Sequence, residues 1–590
     1  MKPILGIDSE TVNDAEGRAR CTLIACSDGS NIARPGGITT DEALRYIVAR
    51  KGELWTFFGD YDVNFWLRDM PQSRLDRLRR KGWATWGTWR VHHIPRRLFE
   101  VWELRYGDAA RYAKIYDVFP FVQSSFVHWL ESWSLCDSRT LARIAAMKAR
   151  RAEFSSLSAA KILAYTQDEV RLIAAGVEQL KLRIHAAGCT PSQWLGPGAV
   201  AAHVMRRHKV KDHMPRKTHP WADRAYFGGR IETAAVGIVR GPLYYYDIVS
   251  AYPAACVDLP CFRHGKWVRT KEPHGAALCH VTWEPRRNAI PTWGPFPVRI
   301  RDGAPLRYYA HGKGVYWWEE IQPWMKSEHY RLSLGSCWEW RQDCSHRPLS
   351  WVGDLFHERR ILKRSGDPAE YALKLVLNSI YGKFAQRVGT APYYCPEWAG
   401  MITARTRARI SNVLATYADR AILIATDGIL LRTEIPISDG GGLGSWTLEG
   451  RYRWADLWQP GFYILSDGKL RTRGYSRVDV DAKDLRRHWR RDGMQAEVPI
   501  SKEFIVGYRL ATARGTMEDF CRWTKAETTL SLNPLPRRFP ANAKVRGHDA
   551  YWTQAPHSAA FERDLRVPVL ERDRIGAYEE DGCSEGFARD

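Results

Sequence analysis

Leu243-Tyr-Tyr-Tyr-Asp247-Ile-Val-Ser250-Ala-Tyr252-Pro253 is an apolar and aromatic run that carries a carboxylate near its end and stops at a proline. Aromatic and β-branched residues favour a strand, and proline ends one. The stretch therefore predicts a buried strand with Asp247 at its exit, where a carboxylate needs either a cation or a hydrogen-bonded cap. Two later stretches bear on that choice. Lys374-Leu-Val-Leu-Asn378-Ser379-Ile-Tyr381-Gly382 has helical periodicity, and Ala425-Thr426-Asp427-Gly428 sits between two apolar runs. The latter reads as strand, tight turn, strand, with an acid at the turn.

The helical stretch follows Gly366-Asp367-Pro368, which separates two helical runs. Asp367 suits an N-cap, Pro368 the first helical position and Glu370 a capping box. Leu373, Val376, Leu377, Ile380 and Phe384 form an apolar stripe, while Lys374, Asn378 and Tyr381 share the other face. Arg359 and Lys363 stand one turn apart on the preceding helix. A solvated charged face is the ordinary explanation for such a pattern. Asn, Tyr and Gly in that register fit a nucleotide site better.

The chain has 590 residues, too many for one ordinary core, so three or more modules are expected. With 45% hydrophobic residues and 26 Trp it reads as globular. Its net charge of +22 points toward a polyanionic partner. Without an 18-residue apolar run or a signal peptide, it is expected to be soluble and cytoplasmic, with no membrane association. Its 12 Cys include no Cys-x-x-Cys pair, which argues against structural zinc and against a disulfide scaffold.

At the N-terminus, Pro3-Ile-Leu-Gly-Ile7-Asp8-Ser9-Glu10 predicts a first strand. A period of two puts Asp8 and Glu10 on one face, close enough to share a cation that would relieve their repulsion. Further acids follow: Asp62 after the strand-like Leu54–Phe58, Asp117 at the end of another apolar run, and Asp168, which with Tyr165 opens a helix.

In this order, the three central stretches resemble motifs A, B and C of family-B DNA polymerases, and most resemble the protein-primed branch of small linear phage genomes and linear plasmids. The resemblance implies an α/β (α+β) chain: an RNase H-like 3′–5′ exonuclease followed by a right-hand palm, fingers and thumb. It makes Asp247 and Asp427 the polymerase metal ligands, with Mg2+ or Mn2+, two per site. Tyr252, Arg359, Lys363, Lys374, Asn378 and Tyr381 would bind the dNTP. Asp8, Glu10, Asp62 and Asp168 would hold the exonuclease metals, Tyr165 would orient water, and Asp117 resembles an additional acid of the protein-primed branch. Tyr226-Phe-Gly228-Gly229-Arg230 resembles the Tyr-x-Gly-Gly motif between the two domains, and Lys469, Arg471 and Arg473 would contact DNA phosphates.

The implied boundaries are 1–185 exonuclease, 186–240 connector, 241–350 first palm part with an insertion, 351–385 fingers, 386–475 second palm part, 476–535 thumb and 536–590 tail. Implied partners are primer-template DNA, dNTP, a terminal or priming protein, and a single-strand-binding or helicase helper, with a monomeric enzyme. Four departures from the family pattern stand out. Phe58 or Gly59 replaces an Asn, Tyr165 and Asp168 are three rather than four apart, Ala425 replaces the first acid of motif C, and Gly461 replaces a primer-contacting Lys. Ala425 and Gly461 motivate an alternative, a catalytically weak DNA-binding or initiation protein that keeps the fold. Finally, Pro392 and Pro396 interrupt strand pairing in the segment Ala385–Gly400 between motifs B and C, which a hairpin would nearly exhaust, so the encircling hairpin of the protein-primed branch is expected to be absent or vestigial.

Overall fold

The computed structural model describes residues 2–14, 17–105, 108–287, 292–299, 306–367, 369–387, 389–437, 441–472, 480–493, 496–532 and 549–551. Arg473, Pro368 and all of the 536–590 tail except 549–551 lie outside them. The chain divides into two compact units. The first comprises Met1–Val204, His357–Ser379 and Lys502–Ala526, and the second Met205–Phe356, Ile380–Ser501 and Glu527–Asp590.

The first unit is built on an eight-stranded sheet. Its order is Asn31–Ala33, Ala19–Cys26, Ile4–Asn13, Glu53–Thr56, Asp108–Asp117, Leu98–Arg105, Trp89–Ile94, Trp83–Trp86. Ile4–Asn13 pairs in parallel with Glu53–Thr56, which pairs in parallel with Asp108–Asp117, and the flanking pairs are antiparallel. The helix Ala159–Ala186 lies against the first strand. Its buried residues Ile162, Tyr165, Thr166, Glu169, Val170 and Ile173 recur at three- and four-residue spacing. The helix approaches so closely that a Cβ at Gly6 would overlap the Val170 carbonyl oxygen.

Residues 502–526, expected in a thumb, instead complete this unit's core. Val506, Tyr508, Leu510, Phe520 and Cys521 pack with Leu54, Val63, Trp66 and Leu75. Asn64 Oδ1 accepts the Tyr508 N–H at 2.8 Å, and His93 Nδ1 meets the Tyr508 hydroxyl at 2.8 Å. Nothing local in 502–526 announces this, because its apolar residues are matched only by a surface some 440 positions away.

The second unit contains an antiparallel sheet ordered Leu470–Arg471, Phe462–Leu465, Trp446–Gln459, Ala235–Ile248, Gly428–Leu431, Ala421–Thr426, Arg230–Thr233. Both faces are covered. Leu243, Leu423 and Leu430 pack on one side, while Tyr246, Ile424, Ile429 and Leu431 pack on the other with Ile410 and Leu414. This explains why the strands around Asp427 read as unbroken apolar runs. A four-stranded sheet, Gly265–Thr270, Tyr330–Gln342, Ala277–Pro285, Gly312–Trp317, accounts for much of the Trp-rich region 259–350.

The helices Val352–Arg364 and Ala369–Ala385 flank the predicted break, and the whole predicted stripe Leu373, Val376, Leu377, Ile380 and Phe384 is buried. The next helix is Pro396–Tyr417. Only residues 386–395 join it to Ala385, and the described ones form no strand, so no hairpin insertion stands there. The connector is more ordered than expected, with a helix at Pro197–Arg207 and a short 3-10 turn at Val210–His213. No helix of the described residues is long and apolar enough to cross a membrane.

Candidate active sites

In the first unit, Asp8 and Glu10 share a face of the first strand as their spacing predicts. Each has a ligating oxygen within 4.8 Å of the other and of Glu169. Asp62, at the third position of the helix Asp60–Trp66, joins them electrostatically. Burial and the Glu169 charge push Asp8 up to about 7, against Arg151 and Lys148. Burial raises Glu10 to about 8, with Arg151 opposing and Asp8 reinforcing the rise. Asp62 is raised well above the carboxylate range by burial, then by Asp8 and Glu10. Glu10 Oε1 and Asp62 Oδ1 are buried without a hydrogen-bond partner. Buried, mutually repelling carboxylates with orphaned oxygens fit divalent cations, which would supply the missing positive charge.

Asp168 is not part of this group. Its carboxylate pairs with Arg143 at 2.5 Å and is a quarter exposed. Glu169, one residue on, is 1% exposed and sits in the cluster. The physical reason is helical register: Tyr165 and Glu169 are one full turn apart on the face that packs inward, whereas Asp168 is rotated toward solvent. Lys148 Nζ lies 2.5 Å from Glu169 Oε1, and Arg151 Nη2 lies 3.2 Å from Glu169 Oε2 and 3.6 Å from Glu10 Oε1. These two cations outweigh burial and hold Glu169 below its usual range. Burial raises the Tyr165 phenol. Asp117 has a structural post: it accepts the N–H groups of Phe58, Gly59 and Phe119 at 2.8–3.0 Å and fixes the turn that leads to Asp62.

In the second unit, Asp247 pairs in register with Gly428, and the Ile248 N–H donates to the Asp427 carbonyl at 3.2 Å. The two acids thus leave adjacent strands side by side. The turn is tight: Thr426 has a positive φ of 65°, and a Cβ at Gly428 would overlap the Tyr245 hydroxyl and lie 3.2 Å from Asp247 Oδ1. Glycine is the residue that lets the two strands meet there.

Around this turn three tyrosines converge. The Tyr252 and Tyr381 rings are 4.7 Å apart, and the Tyr381 and Tyr226 hydroxyls are 2.9 Å apart. A Cβ at Gly229 would lie 2.7 Å from Thr426 Cγ2 and 3.1 Å from the Tyr252 hydroxyl, so Gly229 lets that loop close on the turn. Arg407 holds the loop from behind: it donates to both Glu320 oxygens at 2.6 and 2.7 Å, and to the Phe227 and Gly228 carbonyls at 2.7 Å each. Sequence reasoning missed Arg407, which lies in the helix Pro396–Tyr417 among largely buried neighbours that give no hint of a buried charge.

The remaining predicted residues divide. Lys374, Asn378 and Tyr381 keep a common face of one helix, with Lys374 and Asn378 in the first unit and Tyr381 in the second. Lys363 is exposed, whereas Arg359 is engaged with Glu370 at 2.5 Å. Lys469 is exposed, and Arg471 pairs with Asp467 at 2.7 Å. Arg230 is not available to DNA: it is 1% exposed, pairs with Glu232 at 2.6 Å, donates to the Gly294 carbonyl and stacks over Tyr308. Its position on a strand two residues from Glu232 puts both side chains on one interior face. A basic face not foreseen from sequence lies on the helix Ala482–Asp492, where Lys483, Arg486, Arg487, Arg490 and Arg491 line one depression.

Residues 213–416 match the family described as DNA polymerase type B, organellar and viral. A DNA polymerase of Acidianus bottle-shaped virus (isolate Italy/Pozzuoli) is 35% identical over 132 residues, which are 21% of this chain and 19% of the viral protein. The chain thus matches about a fifth of that relative's length. Among solved structures, phi29 DNA polymerase in a ternary complex with primer-template DNA and incoming nucleotide aligns at a TM-score of 0.62 and 15% identity, over 90% of this chain and 100% of that one. An orthorhombic crystal form of phi29 DNA polymerase aligns at 0.59 and 17% identity, with the same coverage. At that identity the likeness establishes the fold alone. The family match, which takes in Asp247 and the Lys374–Gly382 stretch and ends before Asp427, and the shared fold make this chain similar to the family-B DNA polymerases of the organellar and viral type.

Proposed function

We propose that the chain is a template-directed DNA polymerase with a 3′–5′ exonuclease, copying a genome of the viral, phage or plasmid type. The observation that carries this reading is the register of Asp247 against Gly428, which sets Asp247 beside Asp427 on neighbouring strands, while Gly229 lets the Tyr252 hydroxyl come close to Thr426. Two acids alone could cap a turn, but the paired tyrosine rings and the close approach at Gly229 and Gly428 fit a substrate site better. Asp427 keeps its place although Ala425 precedes it, its N–H bonded to the Ala425 carbonyl at 2.9 Å.

Asp247 and Asp427 would hold the polymerase metals, and Asp8, Glu10, Asp62 and Glu169 those of the exonuclease. Bound there, Mg2+ or Mn2+ supplies the charge that activates a primer 3′-hydroxyl or a hydrolytic water and steadies the leaving group. The Tyr252 ring, braced by Tyr381, makes a floor for the incoming sugar that has no room for a 2′-hydroxyl. Lys363, Lys374 and Asn378 bind the triphosphate, with Arg359 steadied by Glu370. Tyr226, Gly228, Gly229, Lys469, Arg471 and the basic face of Ala482–Asp492 follow the DNA backbone. In the exonuclease, Tyr165 orients the water, and Lys148 and Arg151 draw a phosphate toward the carboxylates.

Primer extension and degradation of a 3′-labelled strand test the assignment together. Asp247→Asn or Asp427→Asn should abolish extension and leave degradation, while Asp8→Ala with Glu10→Ala should do the reverse. A folded, DNA-bound wild-type chain without extension in Mg2+ or Mn2+ would overturn the polymerase reading.

A further inference from the structure

We propose that His213, Cys261, His264 and His346 form a structural zinc site in the second unit. Their ligating atoms all lie within 4.8 Å of one another. The four come from three separate segments: the 3-10 turn Val210–His213, the Cys261-Phe-Arg-His264 loop before the strand Gly265–Thr270, and the segment after Tyr330–Gln342. The site is independent of the polymerase and exonuclease carboxylates and does not rest on the proposed activity.

The distances fit coordination. A zinc with a thiolate at about 2.3 Å and an imidazole nitrogen at about 2.0–2.1 Å, at a tetrahedral angle, sets sulfur and nitrogen about 3.6 Å apart. Cys261 Sγ lies 3.4 Å from His213 Nδ1 and 3.5 Å from His264 Nδ1. The His346 ring lies 4.8 Å from that of His213 and 5.4 Å from that of His264, completing the enclosure. One thiolate and three imidazoles suit zinc and exclude Mg2+, which prefers oxygen ligands. Four protein ligands leave no open position, so the role is structural rather than catalytic.

The backbone holds the ligands in place beforehand. The Phe262 N–H donates to the His213 carbonyl at 2.9 Å, and the Asp343 N–H to the His264 carbonyl at 3.0 Å. Trp340 Nε1 donates to the Cys261 carbonyl at 2.9 Å, and Gln342 Oε1 accepts the Cys261 N–H at 3.0 Å. The metal would therefore rivet the entry to the second unit onto the base of its four-stranded sheet. The absence of any Cys-x-x-Cys pair pointed away from zinc. The site escapes that rule because its one local pair is Cys-x-x-His and its other ligands lie far off in sequence.

The test is metal content and thiolate spectroscopy on the full chain, produced with zinc under reducing conditions and dialysed against a chelator that strips carboxylate-bound ions. The expected result is about one zinc per chain, with Co2+ exchange giving a sulfur-to-cobalt charge-transfer band. Cys261→Ser should abolish the band. His264→Ala and His346→Ala, at exposed positions, should lose the zinc while the chain stays folded, and Asp8→Asn with Glu10→Gln should retain it. A metal-free chain that gives no thiolate band with Co2+ overturns the proposal. So does zinc lost with the carboxylate variant but kept in His264→Ala, or a disulfide between Cys261 and its neighbour Cys344 in freshly isolated protein.

Discussion

Asp168 and Glu169 are consecutive on one helix, yet they serve opposite surroundings: Asp168 pairs with Arg143 at the surface, and Glu169 is buried beside Asp8 and Glu10. Glu169→Gln should therefore lower 3′–5′ degradation by more than about 100-fold, beyond the usual effect of an outer-shell partner at a metal site. Asp168→Asn should stay within a few-fold of wild type. Single-turnover degradation of a 3′-labelled strand measures both, and an inactive Asp168→Asn with an active Glu169→Gln would reverse the assignment.

The same cluster sets a pH dependence. Asp8 and Glu10 titrate near 7 and 8 in the folded chain, well above their ordinary values of 3.8 and 4.5. The folded state then holds protons that the unfolded state has released, so without divalent metal the first unit should lose stability as pH rises through that window. Removing a repelling neighbour with Asp62→Asn should flatten the loss, and Mg2+ should stabilise wild type more at the alkaline end. Melting of chelator-treated protein at about pH 6 and about pH 8.5 reads both slopes. Equal slopes for wild type and variant would mean that the carboxylates do not repel.

The glycine at the polymerase turn offers a sharper test. A Cβ at Gly428 collides with the Tyr245 hydroxyl beside Asp247. Gly428→Ala should reduce extension by about 100-fold, the order expected for a displacement of about 1 Å at a reacting centre. Degradation should be unaffected. Adding Tyr245→Phe removes the obstructing oxygen and should restore part of the rate; no restoration would show that backbone conformation, not that contact, is limiting.

Arg407 and Glu320 are each about 1% exposed, and Arg407 also carries two loop carbonyls. Arg407→Ala strands a buried carboxylate and should cost about 3–5 kcal/mol. Arg407→Lys keeps the charge but not the fork, and should still loosen the Phe227–Gly228 turn. Denaturant unfolding of the second unit, followed by its tryptophans, gives the values; a loss below about 1 kcal/mol would place the pair among solvent-screened bridges.

Much of this was readable from the chain. Asp8 and Glu10 declared a shared face through their period of two, and the stripe from Leu373 to Phe384 declared its burial. The turn at Asp427 was plain because two apolar runs bracket an acid and a glycine. The errors arose where the deciding contact is distant or a residue type misled. Aspartate was preferred at 168, although the buried series 162, 165, 166, 169, 170, 173 already favoured Glu169. Arg230 was given to DNA, although Glu232 two positions along the same strand supplies its partner. Residues 502–526 and the Cys–His cluster were illegible, since their counterparts lie far off in the sequence.

The short link at residues 386–395 bears on how long the chain stays with its template. In the proposed polymerase, the described residues of that link offer no loop to encircle a template, so binding would rest on charge and weaken by roughly 0.9 log unit per contacted phosphate for each log unit of salt. Under single-encounter conditions with a competitor trap, mean product length should shrink steeply between about 50 and about 200 mM salt. Products of about a thousand nucleotides or more from one encounter at the upper salt would contradict this. Such an enzyme would work by many brief visits, and the pace of copying would then follow the size of the pool of molecules rather than the endurance of any one.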